Sequence, residues 1–329
     1  MRLGLCTCAA FAALAMVGCG SGDGGNGSAS TKPGSSSGSL PLVVFSQANS
    51  ADPWRQQFDA ETKTAADAKT AAFRFKEQSA EDDANKQISQ IDTLMLESPK
   101  VLLVSPADTS VATAIEKAYD KGVGVVLLDR GIPGDKYTVH IGGDNVDIGR
   151  QAAEYIAKRL NGKGIVLMIQ GKGGADATND RRSGAMDAFK NYSGITVIQG
   201  DDCKYQRQAA QSYMETFLQS RRPFDAVYAH NDEMAIGAYQ AYDHLATKPK
   251  TKPIFVGVDG CQQEVVQMIK DGKLDATFRY PDPGPKGIEV AADILKGNSP
   301  KDKKIILPTE IVTKENADKY LAAHPGLAK

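Results

Sequence analysis
Polar and charged residues gather in this chain directly after short apolar runs that read as strands. Ser46, Gln47 and Asn49 follow Leu42–Phe45, with Trp54-Arg55 just beyond; Ser105-Pro106 follows Val101–Val104, and Asp129-Arg130 follows Val123–Leu128. Farther along, Gly171 to Arg182 follows Ile165–Ile169, Asn231-Asp232 follows Ala226–Ala229, and Asp259-Gly260 follows Ile254–Val258. Carboxylates and amides accept from and donate to vicinal hydroxyls, a guanidinium forks across two oxygens, and an indole covers an apolar C–H face. That donor set suits a carbohydrate. Plainer readings stand beside it: Asp129-Arg130 is also the pattern of a surface ion pair, Asn231 of a helix cap, and Asp259-Gly260 of a tight turn. Arg181-Arg182 also reads as a solvated helix start with one arginine facing inward, and Trp54, the only tryptophan, as packing.

The elements that must hold these residues alternate along the chain. Asp52-Pro53 caps and opens a helix to about Lys69. A strand at Ala71–Phe75, a helix carrying Ile88, Ile91 and Leu94, strand Val101–Val104, helix Val111–Tyr119 and strand Val123–Leu128 follow. The last is a continuous apolar run, as in a strand covered on both faces. After a strand at Val139–Ile141 the pattern restarts. Helix Val146–Leu160, strand Ile165–Ile169, helix Arg181–Lys190, strand Ile195–Ile198 and helix Gln206–Gln219 come first. Strand Ala226–Ala229, helix Glu233–His244, strand Ile254–Val258 and helix Gln262–Asp271 complete it. A tail with strands at Ala276–Tyr280 and Ile305–Ile311 returns to the first lobe. Repeated βα units imply parallel sheets with helices on both faces, here an α/β fold of two doubly wound lobes joined by a hinge. Ligands of such sheets bind at the carboxyl ends of the strands, so the polar residues above converge on the cleft. The expected boundaries are 41–143 with 281–312 for the first lobe and 144–280 with 313–329 for the second.

The amino-terminal segment reads differently. One positive charge at Arg2, the apolar run Cys8–Val17 and the string L-A-M-V-G-C-G at 14–20 form a signal peptide, residues 1–18, ending in a lipobox. The run is shorter than the about 20 residues a bilayer span needs. Cleavage before Cys19 would leave that cysteine to carry acyl chains. Residues 19–40 then form a lipidated cysteine and a tether, whose Gly/Ser-rich stretch spans roughly 25 Å root-mean-square. The expected location is the extracytoplasmic face of the envelope, lipid-anchored to a membrane. The G-S-S-S-G around Ser36 matches a hydrolase elbow formally but lacks the strand and helix that motif needs.

Composition excludes other classes. The 39 basic and 40 acidic residues give a net charge of −1, which favours no nucleic acid partner. No zinc-protease, P-loop or dinucleotide motif is present, and the four histidines (His140, His230, His244, His324) lack ligand spacing. No enzyme activity, metal or cofactor is expected.

The strings L-L-D-R-G-I (127–132), G-D-N-V-D-I-G (143–149), D-R-R-S-G-A-M-D-A-F (180–189), A-H-N-D-E-M-A-I-G-A (229–238) and V-G-V-D-G (256–260) resemble the periplasmic sugar-binding proteins of ABC importers. The ribose- and galactofuranose-binding groups are the most similar. The resemblance runs from Leu42 to about Thr313. It implies two lobes of the type I periplasmic-binding-protein fold that close on one monosaccharide and present it to a membrane permease, the folded part acting as a monomer. It implies ligand contacts at Trp54, Arg55, Ser105, Asp129, Arg130, Arg181, Asn231 and Asp259, with Tyr205 opposing the sugar ring from the second lobe. Tyr280 takes a hinge-side position that carries glutamine in ribose binders, and Asn179 is a further candidate. Ribose binders place paired phenylalanines where this chain has Trp54-Arg55, and asparagine where it has Ser105. The Trp-Arg pair and Asp180-Arg181 are closer to the galactofuranose type, so a furanose or similar aldose is expected. Cys203 and Cys261, both just past second-lobe strands, admit a disulfide at the cleft rim or two buried thiols. A sugar-responsive repressor would need a DNA-binding headpiece in place of the lipobox and tether. A sensor presenting its sugar to a chemoreceptor or kinase has no distinguishing sequence feature.

Overall fold
The computed structural model describes residues 39–328. The signal peptide, Cys19 and nearly all of the tether lie outside the described residues. From Leu40 onward the chain is one compact unit containing two six-stranded sheets.

The first sheet draws on β1 (Leu42–Gln47), α1 (Pro53–Asp67), β2 (Arg74–Ser79), α2 (Ala84–Leu96), β3 (Val101–Val104), α3 (Ala112–Asp120), β4 (Gly124–Leu128) and β5 (Val139–Gly143). The chain then crosses to α4 (Asn145–Arg159), β6 (Lys163–Gln170), α5 (Asp176–Phe189), β7 (Gly194–Asp202), α6 (Arg207–Gln219) and β8 (Ala226–Ala229). It continues through α7 (Asp232–Asp243), β9 (Ile254–Asp259), α8 (Gln263–Lys270) and β10 (Ala276–Arg279). It returns through α9 (Gly284–Leu295) and β11 (Lys304–Leu307), then crosses again to β12 (Glu310–Thr313) and α10 (Ala317–Ala323). The sheet orders are β11-β5-β4-β3-β1-β2 and β12-β10-β9-β8-β6-β7. They superpose strand for strand: β1 corresponds to β6, β3 to β8, β4 to β9 and β5 to β10. All pairings are parallel except that of β10 with β12. The central strands β3 and β4 bury their apolar runs on both faces, which is why they read as continuous Val/Leu strings.

Four local readings change. The strand expected at Ala71–Phe75 begins at Arg74 and runs to Ser79; it is an edge strand, so its polar R-F-K-E-Q-S is only partly covered. The helix expected from Arg181 starts at Asp176. The single strand expected at Ile305–Ile311 is two strands, broken at Pro308, since proline cannot donate to a ladder. Helix α9 is absent from the expected elements because it opens inside P-D-P-G-P (281–285), a run that reads as a loop, yet it packs on α1 and β4. The boundary for the first lobe moves accordingly: Glu310–Thr313 pairs with β10 in the second sheet, so the segment expected at 281–312 leaves the first lobe before Glu310.

Helices α4 and α5 approach until their backbones touch. A Cβ at Gly149 would lie 2.1 Å from the Arg181 carbonyl, and one at Gly184 would lie 2.0 Å from that of Val146. These are the glycines of G-D-N-V-D-I-G and D-R-R-S-G, so the motifs mark the contact that places Arg181. Gly149→Ala is expected to destabilise the fold by about 1–3 kcal/mol, as overpacking does, lowering the melting midpoint by several degrees. Gly326→Ala, with nothing within 4 Å, is expected to leave it unchanged.

Candidate functional site
Strand ends of both sheets face one cavity, lined by Asp52, Trp54, Arg55, Asp129 and Arg130 from the first lobe. The second lobe and the hinge contribute Ala177, Arg181, Tyr205, Asn231, Asp259 and Tyr280. The structure therefore brings together nine of the residues anticipated from sequence, and adds Asp52 and Ala177.

Each lobe supplies an arginine from the helix after its first strand and an aspartate from the end of its fourth. In the first lobe, Asp52 caps α1 by accepting from the Arg55 amide at 2.9 Å, which fixes the turn bearing Trp54 and Arg55. The Arg55 guanidinium pairs with the Asp129 carboxylate and also donates to Gln47 Oε1 at 3.1 Å and Ser105 Oγ at 2.9 Å. Ser105 is thus fully buried behind Arg55, outside the cavity wall, where it orients the guanidinium. In the second lobe, Arg181 donates through Nε to Asn145 Oδ1 at 2.9 Å and through a terminal nitrogen to the His230 carbonyl. Its guanidinium lies 3.8 Å from Asp259. Asn145, from the G-D-N motif, was left without a role in the sequence reading.

The two aspartates share an unusual backbone. Asp129 and Asp259 have φ of 65° and 123°, a region non-glycine residues rarely enter and which concentrates at functional sites. Neighbours hold both turns. The Asp129 amide donates to the Ile141 carbonyl at 2.9 Å, and His140 Nε2 meets the Asp129 carbonyl at 3.0 Å. Beside Asp259, the Gly260 amide donates to Asp232 at 2.7 Å, and Asp232 also accepts from Thr277 Oγ1 at 2.6 Å.

Their charges differ. Burial disfavours the Asp129 anion, but Arg55 and Arg130 more than compensate and hold its pKa below the usual carboxylate value. Burial raises Asp259 well above that value; Asp232 adds to the rise and Arg181 only partly offsets it. Asp232 is itself pushed up to about 7, chiefly by burial and against its hydrogen bonds to Thr277 and Gly260. Asp259 makes no hydrogen bond through its carboxylate to any described side chain, so it stands as an acceptor for hydroxyl donors.

Aromatic rings complete the walls. Trp54 is only 8% exposed; its indole N–H donates to the Tyr280 carbonyl at 3.2 Å, and the two rings meet edge to face at 5.3 Å. The Arg55 guanidinium lies 4.9 Å from the Trp54 ring and that of Arg181 lies 5.2 Å from the Tyr280 ring, within cation–π range. The Tyr280 hydroxyl is buried without a hydrogen-bond partner among the described residues. Tyr205 adopts φ of 63° and its hydroxyl meets Thr178 Oγ1 at 2.6 Å. Asn231 fills the capping role: its Oδ1 accepts from the Met234 amide at 3.0 Å and caps α7, while its Nδ2 donates to the Tyr205 carbonyl at 3.2 Å. Arg130 lines the cavity while donating to the Ala107 carbonyl at 2.9 Å.

Besides Ser105, one anticipated contact falls away, and the alternative left open at the cysteines is decided. Asn179 faces solvent on α5 and accepts from Arg182 at 2.9 Å; one residue earlier, buried Thr178 is the inward position. Cys203 and Cys261 are free, buried thiols. They follow β7 and β9, with β8 and β6 between, a separation of about 14 Å at the usual strand spacing. A disulfide tolerates no more than about 7 Å between Cα atoms.

His230, behind Arg181, gives a measurable signature. It is fully buried, and burial, helped by Arg181 and Arg182, pushes its imidazole down to about 3. The unfolded chain binds this proton below about pH 6.5 and the folded chain does not, so this residue's contribution falls as pH drops from 6.5 toward 3. Relative to the parent, His230→Gln is expected to gain up to about 1.4 kcal/mol per pH unit in that window. Denaturant melts at stepped pH check it; stability curves that stay parallel would contradict the assignment.

Comparison with known proteins gives the family. Residues 43–299 match the family described as periplasmic binding protein domain. The chain is 35% identical to the ribose import binding protein of Bacillus subtilis over 242 residues, 72% of this chain and 76% of that protein. It is 29% identical to the galactofuranose-binding protein of Escherichia coli over 249 residues, 73% and 77% of the two chains. Among solved structures, the fructose-binding periplasmic domain of a hybrid two-component system superposes with a TM-score of 0.81 at 34% identity, covering 87% of this chain and 94% of that one.

Proposed function
The chain belongs to the periplasmic binding protein domain family, and from that premise we propose that it captures a monosaccharide between its two lobes and delivers it to the permease of an ABC importer. The carrying observation is the composition of the cavity wall: three arginines and three aspartates, balanced in formal charge, stand around three aromatic rings. Balanced charge favours a neutral ligand. The paired carboxylates and guanidiniums suit vicinal hydroxyls, and the rings suit a sugar's C–H face. Trp54, Arg55, Asp129 and Arg130 grip from the first lobe; Arg181, Tyr205, Asn231 and Asp259 grip from the second, with Tyr280 at the hinge and Ser105 bracing Arg55. A ligand touching both lobes stabilises the closed form by its differential affinity for it. The protein binds and releases without catalysis, as a monomer, at the extracytoplasmic face and anchored through acylated Cys19.

The sugar is a furanose of the galactofuranose type or a similar aldose. The match to the galactofuranose-binding protein and the Trp54-Arg55 pair support that reading. A second reading, a sensor that presents its sugar to a signalling partner, is favoured by the likeness to the fructose-binding domain of a two-component system. Genes for a permease and an ATPase beside this one would support import, and a sensor kinase there would support signalling.

Thermal shift and calorimetry against galactofuranose, D-ribose, L-arabinose, D-fructose and myo-inositol test the proposal. One sugar is expected to raise the midpoint strongly, by mass action on the native state. Asp129→Ala is expected to weaken that sugar's binding by roughly 5- to 150-fold, the cost of about 1–3 kcal/mol for an unpaired buried group. No response to any sugar, or unaltered affinity in Asp129→Ala, would overturn it; a preference for ribose over galactofuranose would overturn the furanose assignment alone.

A further inference from the structure
We propose that Lys172 and Asp82 form an ionic clasp across the mouth of the cleft, which biases the lobes toward closure and which Asp82 ties to the site through Arg130. Lys172 lies on the second-lobe loop between β6 and α5, and Asp82 on the first-lobe loop between β2 and α2. The Lys172 ammonium donates to Asp82 Oδ2 at 2.8 Å. This contact sits at the rim, in an outer hollow that shares Asp52, Arg130 and Tyr205 with the inner cavity. It exists only when the lobes are together.

Both partners are positioned before they meet. Glu81 and Asp82 form a left-handed pair with φ of 57° and 63°, uncommon for non-glycine residues. The turn is pinned to the end of β1 by the Ala80 amide on the Gln47 carbonyl at 2.9 Å and the Asp82 amide on that of Ala48 at 2.7 Å. The Asp82 carboxylate is then steadied within its own lobe by Asn49 Nδ2 at 3.3 Å and by Arg130 at 3.4 Å. Opposite, the Gly173 amide donates to Asp202, whose other oxygen accepts from the Lys204 amide at 2.9 Å. One carboxylate therefore braces both the loop carrying Lys172 and the loop carrying Tyr205.

Arg130 connects the clasp to the ligand site. It faces the cavity and lies 3.9 Å from Asp129 while reaching Asp82. A chain of charges thus runs from Asp129 through Arg130 and Asp82 to Lys172 in the other lobe. The clasping side chains are 32% and 35% exposed, so water and salt weaken the pair. Pairs of this exposure shift an equilibrium by roughly one-and-a-half- to fivefold, enough to tune retention of a ligand without locking the cleft.

Trp54, the only tryptophan, reports the equilibrium without any sugar, because it lines the cavity between the lobes and is buried when they are together. The test is acrylamide quenching of Trp54 fluorescence in the ligand-free full chain at low salt. Lys172→Met is expected to raise quenching, Lys172→Arg to leave it near the parent, and about 0.5 M sodium chloride to move the parent toward Lys172→Met by screening. Quenching that is equal in all three at every salt, or raised equally by Met and Arg, would overturn the clasp. The parent's salt titration decides the matter even where a variant folds poorly. Because no sugar is added, a failed clasp leaves the sugar proposal standing, and a failed sugar panel leaves the clasp standing.

Discussion
Placing charged side chains in a water-poor cleft constrains everything around them. A buried ion pair costs several kcal/mol per charge in lost hydration, and mutual attraction offsets this only with good geometry and further hydrogen bonds. The first lobe meets the condition fully: Arg55 is shared among Asp129, Gln47 and Ser105. The second meets it in part. Arg181 is fixed by Asn145 and the His230 carbonyl, while Asp259 stays 3.8 Å away. Its raised pKa is the electrostatic mark of a carboxylate short of donors. In the proposed function the hydroxyls of a bound sugar would supply them, and this asymmetry is what separates the cleft from a self-satisfied core.

The repeated topology explains how one chain builds two such grips. Equivalent strands put an arginine-bearing helix after the first strand and a left-handed aspartate at the end of the fourth, once per sheet. The chain passes between the sheets three times: after β5, between β10 and α9, and between β11 and β12. Tyr280 sits at the second crossing, and Trp54 donates to its carbonyl. A change at the hinge is therefore felt by the wall that covers the ligand.

Much of this was legible in the residues. Apolar runs such as V-L-L-V and G-V-V-L-L gave the central strands because strands buried on both faces leave no polar alternation, and polar residues directly after them marked the cleft. What escaped did so for physical reasons. The edge strand R-F-K-E-Q-S is too polar for periodicity to bound, and the loop-like run P-D-P-G-P (281–285) hides a helix start. Asn179 and buried Thr178 are adjacent on a helix, so an error of one residue turns the choice from the interior to solvent. Asn145 acts through Arg181, 36 positions away in sequence, and no local pattern announces a residue whose partner is set by tertiary packing. Cys203 and Cys261 share a strand-end address, but only the sheet order tells how far apart those ends lie.

A crystal structure of the protein with the sugar selected by the binding panel tests the central claim most directly. The account predicts one sugar enclosed between the lobes, with hydroxyls within hydrogen-bond distance of Asp129 or Arg130 on one side and of Arg181 and Asp259 on the other. A sugar held by one lobe alone, or seated outside the cavity ringed by these residues, would contradict it.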